Sequence, residues 1–222
     1  MKSIKYITTV LDVKIRERLN PIFGPIRRRM AGLDEHKTFT IISNNCWGGH
    51  VYRYFNLPYS SPTVGLYFFT EDYLKFLTKL EYYLSLEIKF ISHEQSRYRY
   101  ILKERNTPPC PIGVLDDIEI VFLHYHSEEE ARTKWNRRKA RMDRNHLIVK
   151  MTEQNICTPE QLKAFDALPY QNKFVFVHRD YKLSSQIVCK EFAKSGEVTN
   201  DTDHFRRYIN LIKLVRNLYS SN

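Results

Sequence analysis

Short apolar runs bounded by turn residues alternate along this chain with longer stretches in which apolar positions recur every three or four residues. The runs are Thr38 to Ile42, Thr63 to Phe69, Ile88 to Ile91, Ile118 to His124, Leu147 to Met151 and Phe174 to His178. Near-continuous apolar runs of this length are what strands covered on both faces present. Tyr98 to Lys103 is a weaker strand candidate, and the three prolines and glycine of Arg105 to Gly113 predict a loop. Helical spacing appears over His50 to Phe55, then from Glu71 through Leu86 with Tyr73, Leu74, Leu77, Leu80 and Leu84 on one face and Thr70 as N-cap. It appears again over Ser127 to Asn145, after Thr158-Pro159-Glu160, and over Asp203 to Tyr219. Strands separated by helices predict an α/β fold, a three-layer α/β/α arrangement with a mainly parallel central sheet and Ile118 to His124 as its best central strand. The expected organisation is a basic amphipathic arm over 1–37, its loose helical period broken by Pro21, Gly24 and Pro25, followed by a single domain over 38–222.

Charge changes the picture by its placement. Lysine and arginine number 35 against 25 aspartate and glutamate, a net charge of +10, of which residues 1–37 supply +5 and residues 127–150 supply +4. Two local basic surfaces argue for phosphorylated ligands or an anionic lipid surface and against a general nucleic-acid coat. With no carboxylate cluster or zinc signature for phosphodiester chemistry, nucleic acid is the third-ranked partner. Cys46, Cys110, Cys157 and Cys189 form no CxxC pair, and the chain shows no cleavable signal peptide and no apolar run long enough to span a bilayer, so a reduced, cytoplasmic protein is expected.

Four places carry candidate chemistry. SNNCWGG follows the first strand, where backbone near Gly48 and Gly49 and the start of a helix favour an anion, and Ser43, Asn44, Asn45, Cys46, Trp47 and Gly48 are candidate substrate contacts. A tight strand-to-helix turn with Trp47 in the core accounts for the same residues equally well. The second place is the junction IEIVFLHYH followed by SEEEARTKWNRRKARMDRN. On that helix Trp135, Arg138 and Met142 form one stripe beside Lys134, Arg137, Arg141 and Arg144, which suits a diphosphate and a stacking ring, with Trp135, Arg138 and Arg141 as the named contacts. A solvated helix with acidic residues at its start and basic residues at its end is the plain alternative. His124 is the candidate general base; His126 shares its face of the strand, but no third metal ligand is visible, so no metal site is assigned.

Asp116-Asp117 is the one place where a divalent cation beside a diphosphate would fit, although the pair also suits a turn into a strand. The basic arm, with Arg27, Arg28 and Arg29 together, fits either an anionic membrane surface or a helix docked on the domain.

The segments SNNCWGGHVYRYFNLPYSSPTVGLYF and PIGVLDDIEIVFLHYHSEEEARTKWNRRKARM, with Phe165 and Lys173-Phe174-Val175-Phe176, resemble a bacterial family of unknown function (number nineteen-nineteen) often labelled exopolysaccharide biosynthesis protein. The resemblance runs from about Phe39 to His178. It implies an α/β/α fold and a setting in surface-polysaccharide synthesis, and carries no established catalytic residue. The leading expectation is a glycosyltransferase-like enzyme that takes a nucleotide sugar or phosphorylated sugar donor and a glycan or lipid-linked acceptor, peripheral to the inner face of the membrane. A non-catalytic partner or regulatory subunit of a glycan-synthesis complex is the alternative.

Overall fold

The structure, a computed structural model, describes residues 18–203 and 205–220. Four parallel strands form the main sheet in the order β1 (Thr40–Ser43), β5 (Leu147–Thr152), β6 (Lys173–Val177) and β7 (Gln186–Val188). Alternate residues of these strands feed two separate cores. Ile42, Val149, Met151, Val175 and Val177 pack on one face, while Ile41, Ile148, Phe174 and Phe176 pack on the other. That two-sided burial is why the strands read as continuous apolar runs rather than alternating ones.

The first face is covered by α3 (Thr70–Thr78), α4 (Leu80–Ser85), α6 (Glu128–Lys139) and α7 (Pro159–Asp166), through Tyr73, Phe76, Leu84, Trp135, Leu162 and Phe165. The second is covered by α2 (Trp47–Tyr54) and α8 (Leu211–Asn217), through Trp47, Val51, Tyr52, Leu211 and Val215. Local chemistry sets several ends. Ser127 caps α6 by accepting the Glu130 amide, and Thr158 and Gln161 form a reciprocal capping box with Pro159 at the first turn of α7. The fold is therefore α/β, with the parallel sheet as predicted.

A second sheet was not foreseen. β2 (Lys89–Ile91), β3 (Ile112–Leu115) and β4 (Ile118–Val121) are antiparallel, in that order. The expected central strand is thus a strand of this smaller sheet, because the two-residue turn Asp116-Asp117 admits only an antiparallel return. The predicted proline loop also concealed the start of β3 at Ile112. Asp72 ties α3 to this sheet: it accepts the Glu119 amide at 3.0 Å and pairs with Arg97.

Other elements differ in extent or type. Tyr98 to Lys103 lies mostly in a helix, α5 (Arg99–Glu104): Tyr98 and Leu102 are four apart, turn inward together and Tyr98 stacks on Phe69, while Tyr100 points out. Thr63 to Phe69 is irregular, joined to β4 by a single bridge at Tyr67. The helix expected through Leu86 breaks at Lys79, whose backbone leaves helical geometry with no glycine or proline to announce it. Thr70 is the first residue of α3 rather than its cap, and its hydroxyl donates to the Gln154 carbonyl at 2.8 Å. The last helix is confined to α8, while residues 205–209 pack against the second core as irregular chain.

Of the arm, residues 18–30 form a helix, α1, and the residues before it lie outside the described structure. α1 docks at the end of α2. Gly24 allows the approach, since a Cβ there would stand 2.3 Å from that of Asn56, and Arg27 and Arg28 donate to the Tyr54 and Asn56 carbonyls at 2.8 and 3.2 Å. No helix among the described residues is long and apolar enough to cross a membrane.

Candidate functional site

The carboxyl ends of β1 and β5 hold a dense buried polar network. Asn44 pairs its amide with the Thr152 backbone, donating from Nδ2 and accepting at Oδ1, each at 2.9 Å, and so zips the two strand ends together. Asn45 Oδ1 accepts the Trp47 amide at 3.1 Å, the Ser43 hydroxyl at 3.1 Å and the Lys150 ammonium at 2.8 Å. Its Nδ2 donates to Asp201 at 2.9 Å. Lys150 also binds Thr152 and Asp201, and the Thr152 hydroxyl donates to Asp201 at 2.5 Å. Burial pushes the Lys150 pKa down, opposed by the Asp201 carboxylate. The ammonium lies 5.7 Å from the Trp47 ring and 5.4 Å from that of Phe176.

This arrangement relocates most of the predicted contacts. Ser43, Asn44 and Asn45 are buried and direct their side chains inward, and Trp47 is core, its indole donating to the Phe205 carbonyl at 3.1 Å. Gly48 faces Ile41, where a Cβ would come within 3.2 Å of the isoleucine side chain; it serves helix-to-strand packing. Cys46 alone of that group is partly open, and its thiol is pushed up to about 11 by burial and then by Asp201, so it is not an activated nucleophile.

The arginine helix is likewise structural along most of its length. Trp135 is fully enclosed, with Phe76 and Phe122 at ring-centroid distances of 6.3 and 6.1 Å, which leaves no open face for a stacking ring. Arg138 is buried, donating to the Val64 carbonyl at 2.7 Å and to the Tyr125 hydroxyl, with its guanidinium 4.9 Å from the Tyr59 ring. Lys139 reaches the Leu84 carbonyl at 2.9 Å, Arg144 the Glu81 carboxylate at 2.8 Å and Arg132 the Ile88 carbonyl at 2.5 Å, so these cations latch α6 and the segment after it to α4 and the chain leading to β2. Arg141 stands in the turn after α6 and faces solvent. Asp116 and Asp117 are committed as well: Asp116 accepts from Tyr82 at 2.8 Å, and Asp117 accepts from Tyr83 at 2.6 Å and pairs with Lys75 at 3.1 Å. Among the described residues no three His, Cys, Asp or Glu side chains group as a metal-ligand set.

Chemistry open to solvent lies instead at the mouth above β1. His50, one turn into α2 from Cys46, is held down to about 4 by burial and then by Arg53, with Asp201 and Asp203 opposing and His124 adding to the depression. The Arg53 guanidinium lies 3.1 Å from His50 Nδ1, and the imidazole packs on Phe205 with ring centroids 5.5 Å apart. His124 stands in a turn past the end of β4 rather than on the strand; it is exposed, and its amide donates to the Gly65 carbonyl at 3.1 Å. Gly65 has a left-handed backbone, φ +83°, and carries Tyr125 against it, which Arg138 holds from behind. Arg138 thus positions the loop beside His124 from the protein interior.

Phe205 also lines an open cleft of about 860 Å³, which meets α2 at its last residue, Tyr54, and is lined further by Asp203, Arg206, Tyr208, Ile209 and Leu211 among others. Arg206 lies 5.2 Å from the Tyr54 ring and 5.8 Å from that of Phe205. Sequence reasoning missed His50, Arg206 and Lys150. The signals were a histidine directly after the paired glycines and a lysine inside the otherwise apolar run Leu147 to Met151.

The chain belongs to the family described as Domain of unknown function (DUF1919), whose profile matches residues 25–218. It is 36% identical over 160 residues to an uncharacterized protein of Haemophilus influenzae, an alignment covering 72% of this chain and 71% of that one.

Proposed function

We propose that this member of the DUF1919 family binds a nucleotide-activated or phosphorylated sugar and acts as a transferase in cell-surface polysaccharide synthesis. One observation carries the reading: the open cleft beside Tyr54, at the end of α2, combines aromatic walls at Tyr54 and Phe205 with the Arg206 guanidinium, and His50 packs on the same Phe205 ring. Its volume of about 860 Å³ is that of a site for a ligand of nucleotide-sugar size. Guanidinium groups take phosphate through paired N–H donors, and aromatic faces take a base or a sugar ring. His50 is neutral at pH 7, and His124, exposed beside it, is the candidate base. The polysaccharide setting comes from the sequence resemblance.

In this reading residues 38–222 are one three-layer α/β/α unit working in the cytoplasm; the two cores on opposite faces of the parallel sheet support the layering. A thermal-shift panel of nucleoside diphosphate sugars and sugar phosphates at millimolar concentration tests it. The expected result is a higher melting temperature with at least one compound, lost in Arg206→Ala; no shift across the panel contradicts it.

A second reading, a non-catalytic subunit of a glycan-synthesis complex, is favoured by a separate observation. Ser43, Asn44 and Asn45 satisfy one another and Thr152 rather than a ligand. Binding of a sugar nucleotide without turnover by any acceptor would support it.

A further inference from the structure

The face of α1 turned away from the domain is apolar. Leu19, Ile22, Phe23, Ile26 and Met30 are between 39% and 61% exposed, although large side chains of this kind are ordinarily covered. Their spacing of three, four and three to seven positions places all five within an arc of about 100° on a helix. Gly24, on the opposite side, makes the contact with Asn56. Arg18 and Arg29 border the stripe, both exposed, and residues 18–30 carry four arginines and no acidic residue.

An apolar stripe on a docked helix, with exposed arginines along one edge and no acidic residue, matches the interface of a bilayer with negative headgroups. Acyl chains take up the apolar side chains while the guanidiniums stay at phosphate level. A second copy of the same stripe fits less well, since pairing would bring the arginine borders together. We propose that α1 is a peripheral membrane anchor that docks this protein on an anionic phospholipid surface through Leu19, Ile22, Phe23, Ile26 and Met30, with Arg18 and Arg29 supplying the charge preference. The inference stands independently of the sugar-binding reading.

Co-sedimentation of the full chain with vesicles tests it, comparing equal parts phosphatidylglycerol and phosphatidylcholine with phosphatidylcholine alone. The full chain pellets with the anionic vesicles at low salt and is largely released at about 0.5 M salt. The triple variant Ile22→Gln/Phe23→Gln/Ile26→Gln binds about tenfold or more weakly while keeping its melting temperature, because those side chains are not packed in the fold. Arg18→Gln/Arg29→Gln also weakens binding about tenfold, and only to the anionic vesicles. A wild-type chain that stays in the supernatant, or a triple variant that still pellets like wild type, overturns the proposal. So does a wild-type dimer that the triple variant converts to a monomer without any vesicle binding, which would assign the stripe to a second copy.

Discussion

Lys150 and Asp201 form an ion pair that is shut off from solvent, with side-chain exposures of 0% and 1%, and it joins β5, an inner strand of the parallel sheet, to a loop 51 residues later. Two charges removed from water are tolerated only where their remaining hydrogen-bond capacity is met, and here Asn45 and Thr152 meet it. Removing one partner leaves the other charged and unpaired. Lys150→Met or Asp201→Asn is expected to destabilise the chain by about 3–5 kcal/mol in urea unfolding. The double variant Lys150→Met/Asp201→Asn costs much less than the sum of the two, a coupling that a double-mutant cycle reads directly.

Two arginines read as equivalent in the sequence behave differently in the fold. Arg138→Ala strips donors from the Val64 carbonyl and the Tyr125 hydroxyl and is expected to cost about 2–4 kcal/mol. Arg141→Ala, at a solvent-facing turn, stays within about 0.5 kcal/mol of wild type. Equal losses at both positions, measured by chemical denaturation, would contradict the assignment of Arg138 to the interior.

The parallel sheet was legible because Leu147 to Met151 and Phe174 to His178 are covered on both faces, and such strands announce themselves as apolar runs. α7 was legible from its cap and proline. The smaller sheet was not, since Ile118 to Val121 is as apolar as a parallel strand, and only the pairing across Asp116-Asp117 distinguishes them. At the end of β1 the residues that the sequence offers as ligand contacts turn inward. Asn44 and Asn45 have the chemistry of ligand contacts, yet strand ends that meet in a buried corner need the same groups for themselves. Arg138 was read as a phosphate contact for a similar reason: helical spacing groups cations without saying which face the core takes.

Acid destabilises this fold in part through His50. The imidazole titrates ordinarily at 6.5 and in the fold at about 4, so the unfolded chain takes the proton first. Stability therefore falls as pH drops from 6.5 toward about 4, by up to roughly 3 kcal/mol for this one group. His50→Gln removes that contribution. The difference in urea midpoint between about pH 7 and about pH 4.5 is expected to shrink in the variant.

Burial holds all four thiols out of ordinary reactivity. Cys46 and Cys110 are pushed up to about 11, and Cys157 and Cys189 to about 12. Since the thiolate is the reacting species, native-state labelling by a disulfide reagent near neutral pH is expected to be about a hundredfold slower than in urea, where all the thiols react promptly. One thiol labelled at the free-cysteine rate in the native protein would contradict the upward shift that burial gives all four.

Calorimetric titration of the best stabilising sugar nucleotide into wild type, Arg206→Ala and His50→Ala distinguishes a ligand seated beside Phe205 from one bound elsewhere. One site per chain is expected, with affinity lowered about tenfold or more in each variant. Affinity unchanged by both substitutions would contradict the placement of the ligand in the cleft beside α2.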